Sequence, residues 1–175
     1  MIVQSVWFLI LLLNAIIIWS TILTEKGAIY RPFGIVIWTF IIVYLPFTSQ
    51  VRNKIIPAWQ VIGLIILSIG IALGTASWLR FIKTSVQPYA SVPSKLITGG
   101  PYKTVRHPQY LALIIIFTGL SIARGSIISV YLIPFIVIFH WTAALLEEKF
   151  VMEKEFPEKY KRYQKSTGML LPKLK

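Results

Sequence analysis

The chain has no cysteine and no aspartate, and its only acidic residues are six glutamates set against 18 lysines and arginines. Without cysteine there is no disulfide framework, no thiolate metal site and no thiol nucleophile. No other residue pattern points to a metal, so none is expected. Charged residues make up only 14% of the 175 positions and hydrophobic residues 56%, too apolar a balance for a soluble domain of this length, so lipid is the expected solvent for most of the chain. Internal repeats and low-complexity tracts are lacking, and the N-terminus has neither a basic stretch nor a small-residue cleavage site, so the first apolar segment is expected to stay in the mature protein.

What is present in excess is positive charge. A net charge of +12 would suggest nucleic acid in a soluble protein, but here the basic residues flank apolar runs, as topology signals and contacts to anionic headgroups do. Membrane lipids, and no nucleic acid, are the expected partners. Charge-free runs cover Met1 to Thr24, Pro32 to Val51, Ile55 to Leu79, Pro108 to Ala123 and Gly125 to Leu146, and a spanning helix needs about 20 residues. The fourth run is short and only Arg124 parts it from the fifth, so the two read as a tight helical hairpin.

With five spans and the C-terminus in the cytoplasm, 15 basic residues fall inside and only Arg52, Lys54 and Arg124 outside, which argues for the N-terminus outside. The expected fold is all-α: a polytopic membrane bundle of about five transmembrane helices, with a C-terminal helical hairpin and a cytosolic amphipathic tail. It forms one domain over 1–175, with N-terminal membrane helices in 1–83 and a loop, the hairpin and the tail in 84–175. Gly63, Gly70 and Gly74 in the third run offer close backbone packing. Five of the six glutamates lie between Glu147 and Glu158, where Met152, Phe156, Tyr160 and Tyr163 recur at helical spacing and Pro157 is placed to break the helix and start another turn.

The longest polar connection, Arg80 to His107, ends in Gly99-Gly100-Pro101-Tyr102-Lys103-Thr104-Val105-Arg106-His107-Pro108-Gln109-Tyr110. Pro108 suits the first turn of a helix and holds His107 outside it, so Arg106 and His107 stand at a helix N-terminus, where an anion is favoured. Glu147 and Glu148 stand at the opposite kind of end, a helix C-terminus beside hydrocarbon, where a carboxylate needs a cationic partner. His140 shares nearly the face of Glu147, and within a membrane helix it reads first as a packing or hydrogen-bonding residue and second as a substrate contact. An anion-binding helix start and a carboxylate pair on consecutive parts of one hairpin would suit a zwitterionic amino-acid group.

Residues Gly100 to Tyr110 resemble the Gly-x-Tyr-x-x-x-Arg-His-Pro-x-Tyr signature of the isoprenylcysteine carboxyl methyltransferase and phospholipid methyltransferase family of integral membrane enzymes. Glu147-Glu148, the Phe156 to Tyr163 stretch and Leu171-Pro172 are similar to that family's glutamate pair, its tail and its closing Leu/Ile-Pro, so the likeness covers roughly the last 80 residues in order. The resemblance implies S-adenosylmethionine as cofactor, entering from the cytosol, and a lipophilic small molecule or lipidated substrate entering from the bilayer. It implies Gly100, Tyr102, Arg106, His107, Pro108, Tyr110, Glu147 and Glu148 around the cofactor, with Arg106, His107 and Glu148 catalytic and His140 and Trp141 on the substrate side. Thr142, Ala143 and Ala144 stand where the family often carries an arginine. Pro157 replaces a common glycine, and the interval from the glutamate pair to Phe156 is one residue longer than usual.

The implied reaction is methyl transfer to a lipid or lipid-linked acceptor, either the carboxylate of a prenylated cysteine or the amine of a phospholipid, at the cytoplasmic face. A carboxylate needs no base, whereas an amine must lose a proton, for which His107 or one glutamate could serve. Two other readings stay open: an NADPH-dependent membrane sterol or lipid reductase, and a non-enzymatic membrane scaffold.

Overall fold

A computed structural model of the chain describes residues 57–84 and 95–173. Among these residues the structure is helical, with four main helices and no strands beyond one isolated bridge. The first two apolar runs, and with them the five-span count, lie outside the described residues.

Helix α1, Pro57–Thr84, has 28 residues and is about 42 Å long at 1.5 Å per residue, enough to cross a bilayer. It does not stop at Arg80 as the charge pattern suggests. It runs one turn further, because Lys83 lies in the last turn, where a cation complements the helix dipole and its stem can reach the interface. The polar connection is correspondingly shorter than the sequence implies. Apolar residues surround α1 on every side, yet only Gly63, Gly70 and Ser77 are buried. Trp59, Ile62, Ile65, Ile69 and Trp78 are exposed, as a lipid-facing helix requires.

Helix α2, Pro108–Arg124, begins at the proline, buried in the first turn, where its missing N–H costs nothing. It ends in a Schellman turn. Gly125 adopts φ 61°, and the N–H groups of Gly125 and Ser126 return to the carbonyls of Ile122 and Ser121. Ser126 then caps helix α3, Ile127–Glu147, by accepting from the Ser129 N–H and donating its hydroxyl to Ser129 Oγ. Two residues, Gly125 as turn and Ser126 as cap, thus make the tight hairpin that the sequence suggests. At 17 residues α2 is shorter than a full span, while α1 and the helix that continues from α3 to Glu155 are long and apolar enough to cross a membrane.

α1 and α2 pack backbone to backbone. A Cβ on Gly63 would lie 2.3 Å from the Ala123 nitrogen, one on Gly119 would lie 2.4 Å from the Leu67 nitrogen, and one on Gly70 would lie 2.8 Å from Ile116 Cγ1. These pairs run antiparallel along one seam. Gly74, which also reads as a close-packing glycine in the sequence, meets only Ala112 Cβ at an ordinary 3.4 Å. α2 meets α3 through Phe117 and Ile136, with Leu113, Ile114, Leu132, Ile133 and Phe139 around them.

Beyond α3 the helix widens into a π-helical turn, Glu148–Met152, closed by the Glu153 N–H to the Glu148 carbonyl. One α-helical turn, Glu153–Glu155, follows, and Pro157 opens helix α4, Pro157–Ser166. The break at Pro157 is the one the sequence shows. α4 buries Tyr160 and Tyr163 and exposes Lys159, Lys161, Arg162 and Lys165.

Candidate active site

The site assembles where the loop before α2, the end of α3 and the C-terminal segment meet. In the loop, Gly100 adopts φ +64°, a conformation other residues rarely enter, and a Cβ on Gly99 would lie 2.4 Å from Arg80 Nη2. Gly100 is therefore needed for its left-handed backbone, whereas a side chain at position 99 would have to displace only the mobile end of Arg80. A 3-10 turn, Gly100–Lys103, follows. Val105 then pairs with Gly168 in an isolated parallel bridge, with the Arg106 N–H donating to the Gly168 carbonyl (2.8 Å) and the His107 N–H to the Met169 carbonyl (3.1 Å). The C-terminal segment is thereby strapped across the loop.

Glu148 is the centre of the cluster. It is 5% exposed. Its Oε1 accepts from Arg106 Nε at 2.8 Å and lies 3.0 Å from His107 Nε2, and its Oε2 accepts from Arg106 Nη2 at 3.1 Å and from Gln164 Nε2 at 3.0 Å. Four hydrogen bonds, from three residues, saturate the carboxylate. Arg106 is equally committed, since Nη1 donates to the carbonyls of Gln164 and Thr167. Burial alone would lower the affinity of this guanidinium for its proton, but the hydrogen-bonded Glu148 carboxylate outweighs it and the pKa is raised. The sequence offers Arg106 to an outside anion, whereas the structure spends its hydrogen bonds on Glu148 and the tail. Gln164 Nε2 also donates to Glu153 Oε1.

Glu147 is placed differently. Its Oε2 accepts from the Tyr110 hydroxyl at 2.7 Å and lies 3.8 Å from His107 Nδ1, and the side chain keeps 24% of its exposure. The Tyr110 ring stacks on His107 with centroids 5.5 Å apart and meets His140 edge-on at 5.7 Å. His140 is buried, with Nδ1 2.8 Å from the Ile136 carbonyl. The Tyr163 hydroxyl donates to the Tyr102 carbonyl. Burial, reinforced by the nearby carboxylates, pushes the phenols of Tyr102, Tyr160 and Tyr163 above their usual range, so all three remain neutral donors at physiological pH.

The structure thus brings Arg106, His107, Tyr110, Glu147, Glu148 and His140 into one connected cluster; Tyr102 adjoins it through the Tyr163 hydroxyl, while Gly100 and buried Pro108 lie in the preceding loop and at the start of α2. Trp141 is not among them: it lies on the exposed side of α3 with Ile138 and Leu145. Gln164 and Thr167 to Met169 escaped the sequence reading, because nothing in their spacing announces a hydrogen bond to a loop about 60 residues earlier. The π-helical turn did leave a trace. It is an α-helix with one residue inserted, which matches the extra residue between the glutamate pair and Phe156.

A hairpin of apolar helices carrying a saturated, buried ionic cluster at one end defines a membrane protein with a preorganised polar site. Its family is shown by comparison: the phospholipid methyltransferase family matches residues 58–159, and the chain belongs to that family. It is also 36% identical over 91 residues to a methanethiol S-methyltransferase of Pseudomonas deceptionensis, an alignment covering 52% of this chain and 34% of that protein. The chain therefore spans about a third of this relative's length. No solved structure matches.

Proposed function

We propose that the protein is an S-adenosylmethionine-dependent membrane methyltransferase that acts on an apolar acceptor drawn from the bilayer. The observation that carries this reading is the unequal state of two adjacent carboxylates. Glu148 has all its partners within the protein, while Glu147 is partly exposed beside a stacked Tyr110 and His107. Glu147 has room for an ammonium, and the aromatic faces next to it suit a sulfonium. The donor set fits the cofactor that the family implies.

Bound there, S-adenosylmethionine supplies an electrophilic methyl group on a sulfur that departs as a neutral thioether. No residue needs to protonate the leaving side, so the protein's work is positioning and exclusion of water. Glu147 holds the ammonium. Tyr110, fixed by its bond to Glu147, and His107, fixed by its bond to Glu148, present their ring faces. Arg106 and Glu148 act by positioning: they lock the loop and the C-terminal strap against the end of α3. Tyr102 adjoins the cluster, Gly100 lies in the loop before it, and His140 lies on the acceptor side.

The family and the relative's name favour methyl transfer over the reductase and scaffold readings. They also add a second acceptor class. A prenylated-cysteine carboxylate or phospholipid amine remains one reading of the acceptor, and the name of the relative favours a thiol. The cofactor end of the site would open to the cytosol, with the C-terminus on that side. Calorimetric titration of the purified protein with S-adenosylmethionine and with NADPH tests the proposal, and binding of NADPH alone would overturn it.

A further inference from the structure

We infer that the outward face of α4 is a dock for the anionic headgroups of the membrane, and that docking keeps the C-terminal strap closed across the loop before α2. The excess of positive charge in the sequence does not say where such a contact forms, but the use of the glutamates does. Among the described residues five glutamates lie at the polar end of the hairpin, and three are turned inward: Glu147 takes the Tyr110 hydroxyl, Glu148 takes Arg106 and Glu153 takes Gln164. The ion pairs among these residues are confined to Arg106 and His107. Lys159, Lys161, Arg162 and Lys165 are thus exposed on α4 without a carboxylate partner among the described residues, and Glu158 is the one negative charge on their helix.

α4 is pinned at both ends to the places where the hairpin enters the bilayer. At its start, a five-residue π-helical turn, a three-residue helical turn and Phe156 are all that separate it from the end of α3. At its end, the Tyr163 hydroxyl donates to the Tyr102 carbonyl, the Thr167 carbonyl accepts from Arg106, and Gly168 pairs with Val105, all just before α2 begins at Pro108. A helix of 10 residues, about 15 Å long, tied in this way lies across the mouth of the hairpin and cannot swing into the cytosol without opening the strap. It is held at the headgroup layer, inside the range of roughly 10 Å over which an anionic surface acts. Apart from Pro157, its exposed residues are charged or, at Ser166, carry a hydroxyl, so it has no apolar wedge to push among acyl chains. The attraction is therefore electrostatic. An acidic protein offers the same charge, but the headgroups of the adjoining leaflet are already in place.

The two faces of α4 divide the work. Inward, Gln164 donates to Glu148 and Glu153, and the carbonyls of Gln164 and Thr167 accept from Arg106. The outward cations have no such task among the described residues, where Arg162 makes only a 3.5 Å contact with the Glu158 carbonyl of its own helix. A surface that binds only the docked helix raises the population with the strap closed. One consequence rests on the methyltransferase reading above: S-adenosylmethionine should be held more tightly in an anionic membrane.

The test uses the full chain in nanodiscs of phosphatidylcholine, with and without phosphatidylglycerol, and hydrogen exchange of the amides from α4 through the strap. Each basic residue near an anionic surface is worth roughly fivefold in binding, so these amides should exchange at least about tenfold more slowly in the anionic discs, and high salt should remove the difference. Equal exchange in the two kinds of disc would overturn the dock, and this arm needs no variant. The variant with Lys159→Gln, Lys161→Gln, Arg162→Gln and Lys165→Gln should exchange alike in both. A variant with Lys83→Gln and Lys95→Gln, exposed cations outside α4, should keep the difference, and its loss there would overturn the assignment to α4. Polyglutamate that protects α4 equally well in neutral discs would overturn the lipid assignment in favour of an acidic protein. Calorimetry with S-adenosylmethionine in both discs checks the coupling, which equal affinities would overturn. A parent that shows the lipid effect and binds no S-adenosylmethionine defeats the methyltransferase reading and leaves the dock standing, whereas one that binds it and shows no lipid effect defeats the dock alone.

Discussion

Arg106 grips Glu148 with two parallel hydrogen bonds, Nε to Oε1 at 2.8 Å and Nη2 to Oε2 at 3.1 Å, with side chains only 11% and 6% exposed. The pair ties the loop before α2 to the end of α3. Through Gln164 and Thr167 the same guanidinium holds the C-terminal strap.

The first prediction follows from that burial. Removing one member of a buried pair leaves the other charged and unpaired, which costs about 3 kcal/mol or more. Arg106→Ala and Glu148→Gln should each lower the melting temperature of the cofactor-free protein markedly, and the double variant should lose less than the sum of the two. Additive losses in thermal unfolding would show that the two residues do not depend on each other.

Glu147 should behave in the opposite way. Glu147→Gln keeps an acceptor for the Tyr110 hydroxyl and removes a partly exposed charge, so unfolding should change by under about 1 kcal/mol. Affinity for S-adenosylmethionine should fall by roughly tenfold or more, the value of a charge-assisted contact. Calorimetry on both single variants checks the division, and an unchanged affinity would remove Glu147 from the cofactor site.

The seam between α1 and α2 gives a third prediction. Gly119→Ala would drive a methyl into the Leu67 backbone and Gly63→Ala would drive one into Ala123, both at under 3 Å, so each should destabilise by about 1 to 3 kcal/mol. Gly74→Ala meets only a side-chain methyl at 3.4 Å and gains helix propensity, so it should be neutral or stabilising. Melting temperatures of the three variants in one detergent decide the order.

Topology provides the fourth. Lys103 and Lys161 are exposed and flank the same polar end of the hairpin, so cysteines placed there in this cysteine-free chain should label from one side, the cytoplasm. A cysteine at position 53 should label from the other side. Labelling of 53 and 103 from the same side would overturn the five-span arrangement.

Much of this was determined by the sequence alone. Composition makes lipid the solvent, the Arg-Gly boundary after α2 makes a hairpin, Pro108 and Pro157 start helices, and the Gly100 to Tyr110 and Glu147-Glu148 motifs name most of the site, because each depends on local backbone preference or on charge beside hydrocarbon. The tertiary structure decided what local rules cannot reach. Two adjacent glutamates read alike along the chain, yet the π-helical turn and the returning strap give Glu148 four hydrogen bonds from three residues and leave Glu147 one hydroxyl and a partly open face. Arg106 reads as a free anion grip at a helix start, and only the approach of α3 and the tail shows its hydrogen bonds already taken. Trp141 sits next to His140 in sequence, but a helix turns 100° per residue and carries one toward the cluster and the other toward lipid. Partners 40 to 60 residues apart leave no periodic signal, so their pairing exists only in the fold.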